Sequence, residues 1–158
     1  MALEIEHKFL VRPQLLRPLP QGKRLQQGYL CTQPAVRVRI VTGGKKAEAF
    51  LTIKGKGLRS RAEFEYKIPV ADARVLLKLC GAVTLEKIRR KIGRWEVDEF
   101  LGRHRGLWLA EYELRHVREK LPKLPAWIGL EVTGDPAYTN SRLASAPAAG
   151  ERKRAARR

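Results

Sequence analysis

Hydrophobic and polar residues alternate with period two along most of the chain. Residues 3–11 set Leu3, Ile5, His7, Phe9 and Val11 against Glu4, Glu6 and Lys8. Val36, Val38 and Ile40 alternate with Arg37 and Arg39. From 47 to 54, Ala47, Ala49, Leu51 and Ile53 oppose Glu48, Thr52 and Lys54, and Phe50 interrupts the polar face. From 62 to 68, Ala62, Phe64, Tyr66 and Ile68 oppose Glu63, Glu65 and Lys67. Glu96 and Asp98 alternate with Trp95 and Val97, until Glu99 breaks the apolar face. Glu111 and Glu113 alternate with Trp108, Ala110, Tyr112 and Leu114. This is the pattern of strands with one buried face. Gly43-Gly44, Gly55 with Gly57, Gly93, and Gly102 to Gly106 supply turns between them. A run of antiparallel strands at this spacing predicts a barrel or a sandwich, an all-β-dominated α+β fold.

Helical signals are few. Val70, Ala73, Leu76, Leu77 and Cys80 share one helical face, which predicts a helix over 70–80 lying on the sheet. Residues 138–145 predict a short terminal helix. The basic stretch 115–125, with Pro122 and Pro125, predicts a helical turn followed by loop. Residues 12–24 hold three prolines and read as loop. From 146 onward the composition shifts to Ala, Pro, Gly and Arg. The organisation is therefore one domain, 1–145, and a basic tail, 146–158, expected to be disordered.

Composition narrows the partners. A chain of 158 residues is about one domain. Lys and Arg number 33 against 16 Asp and Glu, a net charge of +17 that suggests a polyanion partner. At 44% hydrophobic residues, the chain has enough apolar material to fold despite that charge. No apolar run approaches the roughly 20 residues of a membrane span, and Glu4, Glu6 and Lys8 interrupt any signal peptide. Cys31 and Cys80 match no metal or redox spacing and read as reduced thiols. The expectation is a cytoplasmic protein that does not enter a membrane.

The placement of the scarce acids carries the chemistry. Glu4/Glu6, Glu63/Glu65, Glu96/Asp98 and Glu111/Glu113 are all i, i+2 pairs on strands. Same-face neighbours lie about 7 Å apart and repel by roughly 2 kcal/mol at an effective dielectric near 20. Repeating that arrangement calls for opposing cations or solvent. The cations repeat the spacing: Arg37/Arg39 and Lys87/Arg89, with Lys8 and Lys54 continuing acidic or polar faces. With these faces turned into a closed barrel, carboxylates for a hard divalent metal and cations for phosphate oxygens share one lumen. That suits a metal-chelated polyphosphate and its hydrolysis. A nucleic-acid binder has no use for inward carboxylates.

The start of the chain, Glu4-Ile5-Glu6-His7-Lys8-Phe9, resembles the ExExK signature of the CYTH superfamily, the triphosphate tunnel metalloenzymes. The likeness continues in order through Gln27-Gly28-Tyr29, Val36-Arg37-Val38-Arg39, Leu51-Thr52-Ile53-Lys54-Gly55 and Arg61-Ala62-Glu63-Phe64-Glu65. It ends with Lys87-Ile88-Arg89, Glu96-Val97-Asp98, Glu111-Tyr112-Glu113 and Glu131-Val132-Thr133. The resemblance is to the short bacterial single-domain members. It implies an eight-stranded antiparallel β-barrel forming a tunnel, a few covering helices, and Mg²⁺ or Mn²⁺ as cofactor. It implies that Lys8, Arg37, Arg39, Lys54, Arg61, Lys87 and Arg89 bind the triphosphate. It implies that Glu4, Glu6, Glu63, Glu65, Asp98, Glu111, Glu113 and Glu131 form the metal-binding acidic set, with Lys8 and Glu131 assisting catalysis. Tyr138 and Asn140 resemble a helix that covers one tunnel mouth.

The activity so implied is hydrolysis of inorganic tripolyphosphate to pyrophosphate and phosphate. The competing readings are a non-catalytic polyphosphate- or nucleic-acid-binding tunnel, a thiamine or nucleoside triphosphatase, and an adenylate cyclase. The basic tail offers weak polyanion binding. The oligomeric state stays open, a homodimer included. His7, on an apolar face, reads as a packing residue, and His104 and His116 as loop residues. Trp95, Trp108 and Trp127 read as outer-face contacts beneath helices, and Cys80 as helix core.

Overall fold

A computed structural model of the chain describes residues 2–57 and 60–146. The predicted tail therefore lies almost wholly outside the described residues. Among those described, the strands are β1 (Ala2–Val11), β2 (Lys23–Thr32), β3 (Ala35–Thr42), β4 (Glu48–Lys54) and β5 (Ser60–Ile68). Helix α1 (Val70–Leu79) follows, then β6 (Thr84–Ile92), β7 (Trp95–Phe100), β8 (Trp108–Glu113), β9 (Ile128–Glu131) and α2 (Asn140–Ser145). No helix among them is long and apolar enough to cross a membrane.

All pairings are antiparallel. The order β5-β4-β3-β2-β6-β7-β8-β1 closes when β5 pairs with β1, giving an eight-stranded barrel. Strand β1 makes the closure possible because its two halves pair differently. Ala2 to Ile5 pair with β5, whereas Phe9 and Val11 pair with the short β9. The other edge of β1 holds β8 from Glu6 to Leu10.

Alternation decides which face is wet. The alternating charged positions, such as Glu4, Glu6 and Lys8 on β1 or Arg37 and Arg39 on β3, face the lumen, so the apolar positions point outward and must be covered, beside outer-face polar pairs such as Arg24–Glu86 and Arg90–Glu99. Helix α1 covers β3 and β4, where Ala73, Val70, Leu76 and Leu77 pack on Val38, Ile40 and Ala49. It rests on β2 at Gly28, where an added Cβ would stand 2.8 Å from Cys80 Cβ and Sγ. A second cluster joins Phe9, Trp95, Val97, Tyr112 and Trp127. The Trp95 ring centroid lies 5.7 Å from Phe9, 4.8 Å from Tyr112 and 5.6 Å from Trp127. Each such fully buried side chain contributes about 1.5–3 kcal/mol. The third cluster, Tyr29, Leu85, Phe100, Leu109, Val132 and Leu143, seats α2 across one end of the barrel.

Four expectations change here. Residues 115–125 form turns and irregular chain with no helix, since prolines and closely spaced cations disfavour one. Consequently Trp95 and Trp127 are covered by irregular segments, through Leu16, Leu19 and Leu121, and not by helices. His104 closes a short 3-10 helix, Gly102–His104, and is only 2% exposed, and its Nε2 lies 2.6 Å from the Leu143 carbonyl oxygen, pinning α2. Strand β2 begins at Lys23, inside the stretch expected to be loop.

Candidate functional site

Three adjacent strands build an acidic wall. Glu6 of β1 stands directly opposite Glu113 of β8, and Glu111 of β8 directly opposite Glu96 of β7. Like charges in such cross-strand positions destabilise a sheet unless cations intervene. Lys8 intervenes from β1, its Nζ 3.1 Å from Glu111 Oε1 and 3.6 Å from Glu6 Oε1. Arg89 intervenes from β6, with Nη2 2.9 Å from Glu111 Oε2 and a further contact to Glu96.

The opposite wall is mainly cationic. Arg37 and Arg39 on β3 both donate to Glu65 Oε2 at 3.3 Å, and Arg37 also donates to Thr52 Oγ1 at 3.1 Å. Lys54 Nζ lies 2.8 Å from Glu4 Oε1 and 2.8 Å from Glu63 Oε2. Arg61 Nε donates to Glu4 Oε2 at 2.9 Å. Phe50, the apolar interruption, faces this wall with the Arg39 guanidinium 5.6 Å from its ring centroid, a cation–π contact that accounts for its place. Arg37 Nε and Arg39 Nε are buried without a hydrogen-bond acceptor among the described residues. Between the walls lies a cavity of about 540 Å³.

One end of the lumen is narrowed by the C-terminal segment. Lys8 Nζ reaches the Tyr138 carbonyl at 3.4 Å, and Lys87 Nζ donates to Asn140 Oδ1 at 3.1 Å. A neck of about 40 Å³ remains there. The other end opens between Lys91, Arg94 and Arg115.

Burial and charge set the protonation of the acids. Glu6 is pushed up to about 7 by burial and by Glu111, with Lys8 pulling the other way. Burial also raises Glu113, helped by Glu4, Glu96 and Glu63. Burial opposes ionisation of Glu111 too, but Lys8, Arg89 and Lys87 outweigh it and hold Glu111 well below the usual range. Glu4 is lowered in the same manner, Lys54 and Arg61 overcoming burial. The lumen thus holds both firmly ionised carboxylates and basic ones. On the cation side, burial and the nearby Arg37 lower Arg39 to about 10.

The sequence compares directly with known proteins. The CYTH domain model matches residues 2–131. The chain belongs to the CYTH family. An inorganic triphosphatase of Acetivibrio thermocellus is 43% identical over 155 residues, covering 93% of this chain and 96% of that one. An inorganic triphosphatase of Nitrosomonas europaea is 34% identical over 154 residues, covering 89% and 96%. A crystal structure of an inorganic triphosphatase aligns with a TM-score of 0.57 at 29% identity, covering 92% of this CYTH chain and 97% of that one.

Within this CYTH barrel the predicted site residues separate into three groups. Glu4, Glu6, Arg37, Arg39, Lys54, Arg61, Glu63, Glu65, Arg89, Glu111 and Glu113 line the main cavity, and Lys8 lines the neck. Lys87 and Asp98 do not line it. Each side chain is 1% exposed, and they pair at 2.5 Å behind the wall. Burial disfavours the charged form of Asp98, but Arg89 and Lys87 outweigh that and hold it ionised. Glu131 lies on the outer face, because it stands opposite Phe9 across the β1–β9 pairing. There its Oε1 is 2.7 Å from His7 Nδ1 and accepts from Thr133 Oγ1 at 2.6 Å. The lumen does not receive Glu131.

Other wall residues went unassigned. Glu96, paired in sequence with Asp98, lines the cavity. Tyr29 lines the neck, and Gln27 beside it donates to the Tyr29 hydroxyl at 3.2 Å. The period-two parity of β2 marks both of them. Asn140, given by the family resemblance only as part of a helix covering one tunnel mouth, lines both spaces, and no periodic pattern singles it out in so short a helix.

Proposed function

We propose that this CYTH barrel hydrolyses a triphosphate in its lumen, inorganic tripolyphosphate first, releasing pyrophosphate and phosphate. The observation that carries the reading is the facing of basic and acidic walls across one cavity of about 540 Å³, narrowed at one end and open at the other. The relatives named inorganic triphosphatase, at 43% and 34% identity over most of the chain, support the same reaction.

The arginines bind first. Arg37 and Arg39 carry unpartnered Nε–H groups, and phosphate oxygens are the acceptors that such planar forks suit. Lys54, Arg61 and Lys8 exchange carboxylate partners for phosphate oxygens as the substrate enters.

The donor set suits a divalent metal. Among the described residues no three acidic, His or Cys side chains already form a metal cage, because lysine and arginine groups stand between them. Magnesium is commonly held by one or two carboxylates plus substrate phosphates, which such an arrangement permits. Glu6, held basic by burial and by Glu111, gains from a nearby cation. Glu6, Glu111 and Glu113 are the residues that would hold Mg²⁺ or Mn²⁺, with Glu4, Glu63 and Glu65 on the flank. When bound, the metal supplies charge neutralisation at phosphate oxygens and a more acidic water.

Hydrolysis adds the water oxygen to the terminal phosphorus, and the bridging P–O bond breaks with its electron pair leaving on pyrophosphate. The proton from water goes to a lumen carboxylate of raised basicity. Lys8, which approaches Glu6 and Glu111 from beside the neck, stabilises charge on the transferring group.

A reducing compartment fits the unpaired Cys31 and Cys80, so a cytoplasmic location belongs to the same proposal. The test is phosphate release from tripolyphosphate with Mg²⁺ or Mn²⁺ and with neither. Metal-dependent release is expected. Absence of release with both metals, in folded protein, overturns the reading, and binding without release favours a non-catalytic tunnel.

A further inference from the structure

Asn140 is the first residue of α2, the helix that narrows the barrel end. Its Oδ1 accepts a hydrogen bond from Lys87 Nζ at 3.1 Å. Lys87 is shut away behind it. The ammonium donates to Asp98 Oδ2 at 2.5 Å and lies 5.4 Å from the centroid of the Phe100 ring. Neither Lys87 nor Asp98 lines the lumen, whereas Asn140 lines both the main cavity and the neck. Asn140 is thus the wall between a fully buried ion pair and the space where substrate would sit.

That position fixes the amide's orientation. A lysine ammonium has only donors, so the amide oxygen must face it, and a flipped amide would set N–H against N–H. The Nδ2 group then points away from Lys87, on the cavity side. It offers N–H donors to the lumen without adding a charge. Phosphate oxygens are acceptors, so they fit this group. Glu111 and Glu4 do not need it, since Lys8 and Arg89 already serve Glu111 and Arg61 serves Glu4.

We infer that Asn140 is a substrate-binding residue. Its Nδ2 donates to an oxygen of a phosphoryl group at the narrowed end of the lumen, and Lys87 orients the amide from behind. The inference rests on the triphosphatase reading and assigns a neutral contact to a site otherwise built from charges.

Asn140→Asp tests it. The substitution keeps the size of the side chain and an oxygen for Lys87, but turns a second, anionic oxygen toward the lumen. A purely structural role in anchoring α2 is preserved by this change, and a phosphate contact is reversed by it. Steady-state hydrolysis of tripolyphosphate with Mg²⁺, calorimetric binding of tripolyphosphate, and thermal unfolding of the ligand-free full chain are measured for wild type, N140D and N140A. N140D is expected to unfold no lower than wild type and to raise KM roughly 10- to 100-fold, the range for a lost hydrogen bond to a charged group. N140A is expected to raise KM about tenfold with a smaller fall in kcat. N140D with wild-type KM and affinity overturns the inference, as does N140A lowering stability and kcat with KM unchanged. Failure of wild type to release phosphate overturns the triphosphatase reading instead, and calorimetry then still decides whether Asn140 contacts the anion.

Discussion

Replacing Glu6 by Gln should make the metal-free protein more stable and the enzyme inactive. Glu6 is buried in the acidic wall, opposite Glu113 and near Glu111. Its pKa rises from 4.5 to about 7, and each unit is about 1.4 kcal/mol, so keeping Glu6 ionised costs the fold about 3 kcal/mol. The sign follows from proton uptake. Between pH 4.5 and about 7 the folded chain holds a proton on Glu6 that the unfolded chain has released. The stability from Glu6 is therefore fully present below its unfolded pKa and is lost as pH rises through about 7. A glutamine carries no such charge at any pH. At pH 8, E6Q should exceed wild type by up to about 3 kcal/mol, roughly 6–12 °C in unfolding temperature for a chain of this size. At pH 5 wild-type Glu6 is mostly protonated when folded, and the difference should fall below about 1 kcal/mol. Urea unfolding of both proteins in chelator at the two pH values measures it. The same E6Q preparation should lose at least about 100-fold in tripolyphosphate hydrolysis. An E6Q protein that is less stable than wild type at pH 8, or whose advantage is the same at both pH values, refutes the electrostatic reasoning.

Three further outcomes follow from the geometry. Asp98→Asn should cost about 3–5 kcal/mol, because it leaves Lys87 buried without its anion, and urea unfolding at pH 7 reads this. Wild-type Asp98 keeps a lowered pKa, so its contribution is present above the unfolded pKa and fades as pH falls through the folded value. Glu131→Ala should leave kcat within about threefold of wild type while Glu111→Ala removes at least about 100-fold, a contrast that kinetics on both variants reads directly. The net charge of +17 should steer an anionic substrate, so kcat/KM should fall severalfold between about 50 and 200 mM salt, and a rate independent of salt argues against steering.

Seven of the chain's 16 acids line the main cavity. The lumen cations are nearly matched by lumen acids, so the excess positive charge lies outside the lumen, and among the described residues part of it is at the rim. Lys91, Arg94 and Arg115 at the open mouth belong to it. A general polyanion attraction and a selective site are thereby separated in space.

Local geometry made much of this legible before any fold was known. A strand has period two whatever it packs against, so the parity of Glu4, Glu6 and Lys8, or of Arg37 and Arg39, already determined which residues share a face. The apolar face of residues 70–80 likewise determined a covering helix, found as Val70–Leu79. Parity does not reveal which strands become neighbours, and that is where the tertiary structure decided matters. Glu131 obeys the alternation, yet its register opposite Phe9 turns it to the outside. Lys87 and Asp98 share the parity of lumen residues, yet α2 walls them off, because depth along a barrel depends on what closes its end. Asn140 reaches the lumen through a helix six residues long, too short to carry a periodic signal. The sequence by itself determined faces and charges; only closure of the barrel decided which of those charges meet across one cavity, since that is set by register between strands distant in the chain.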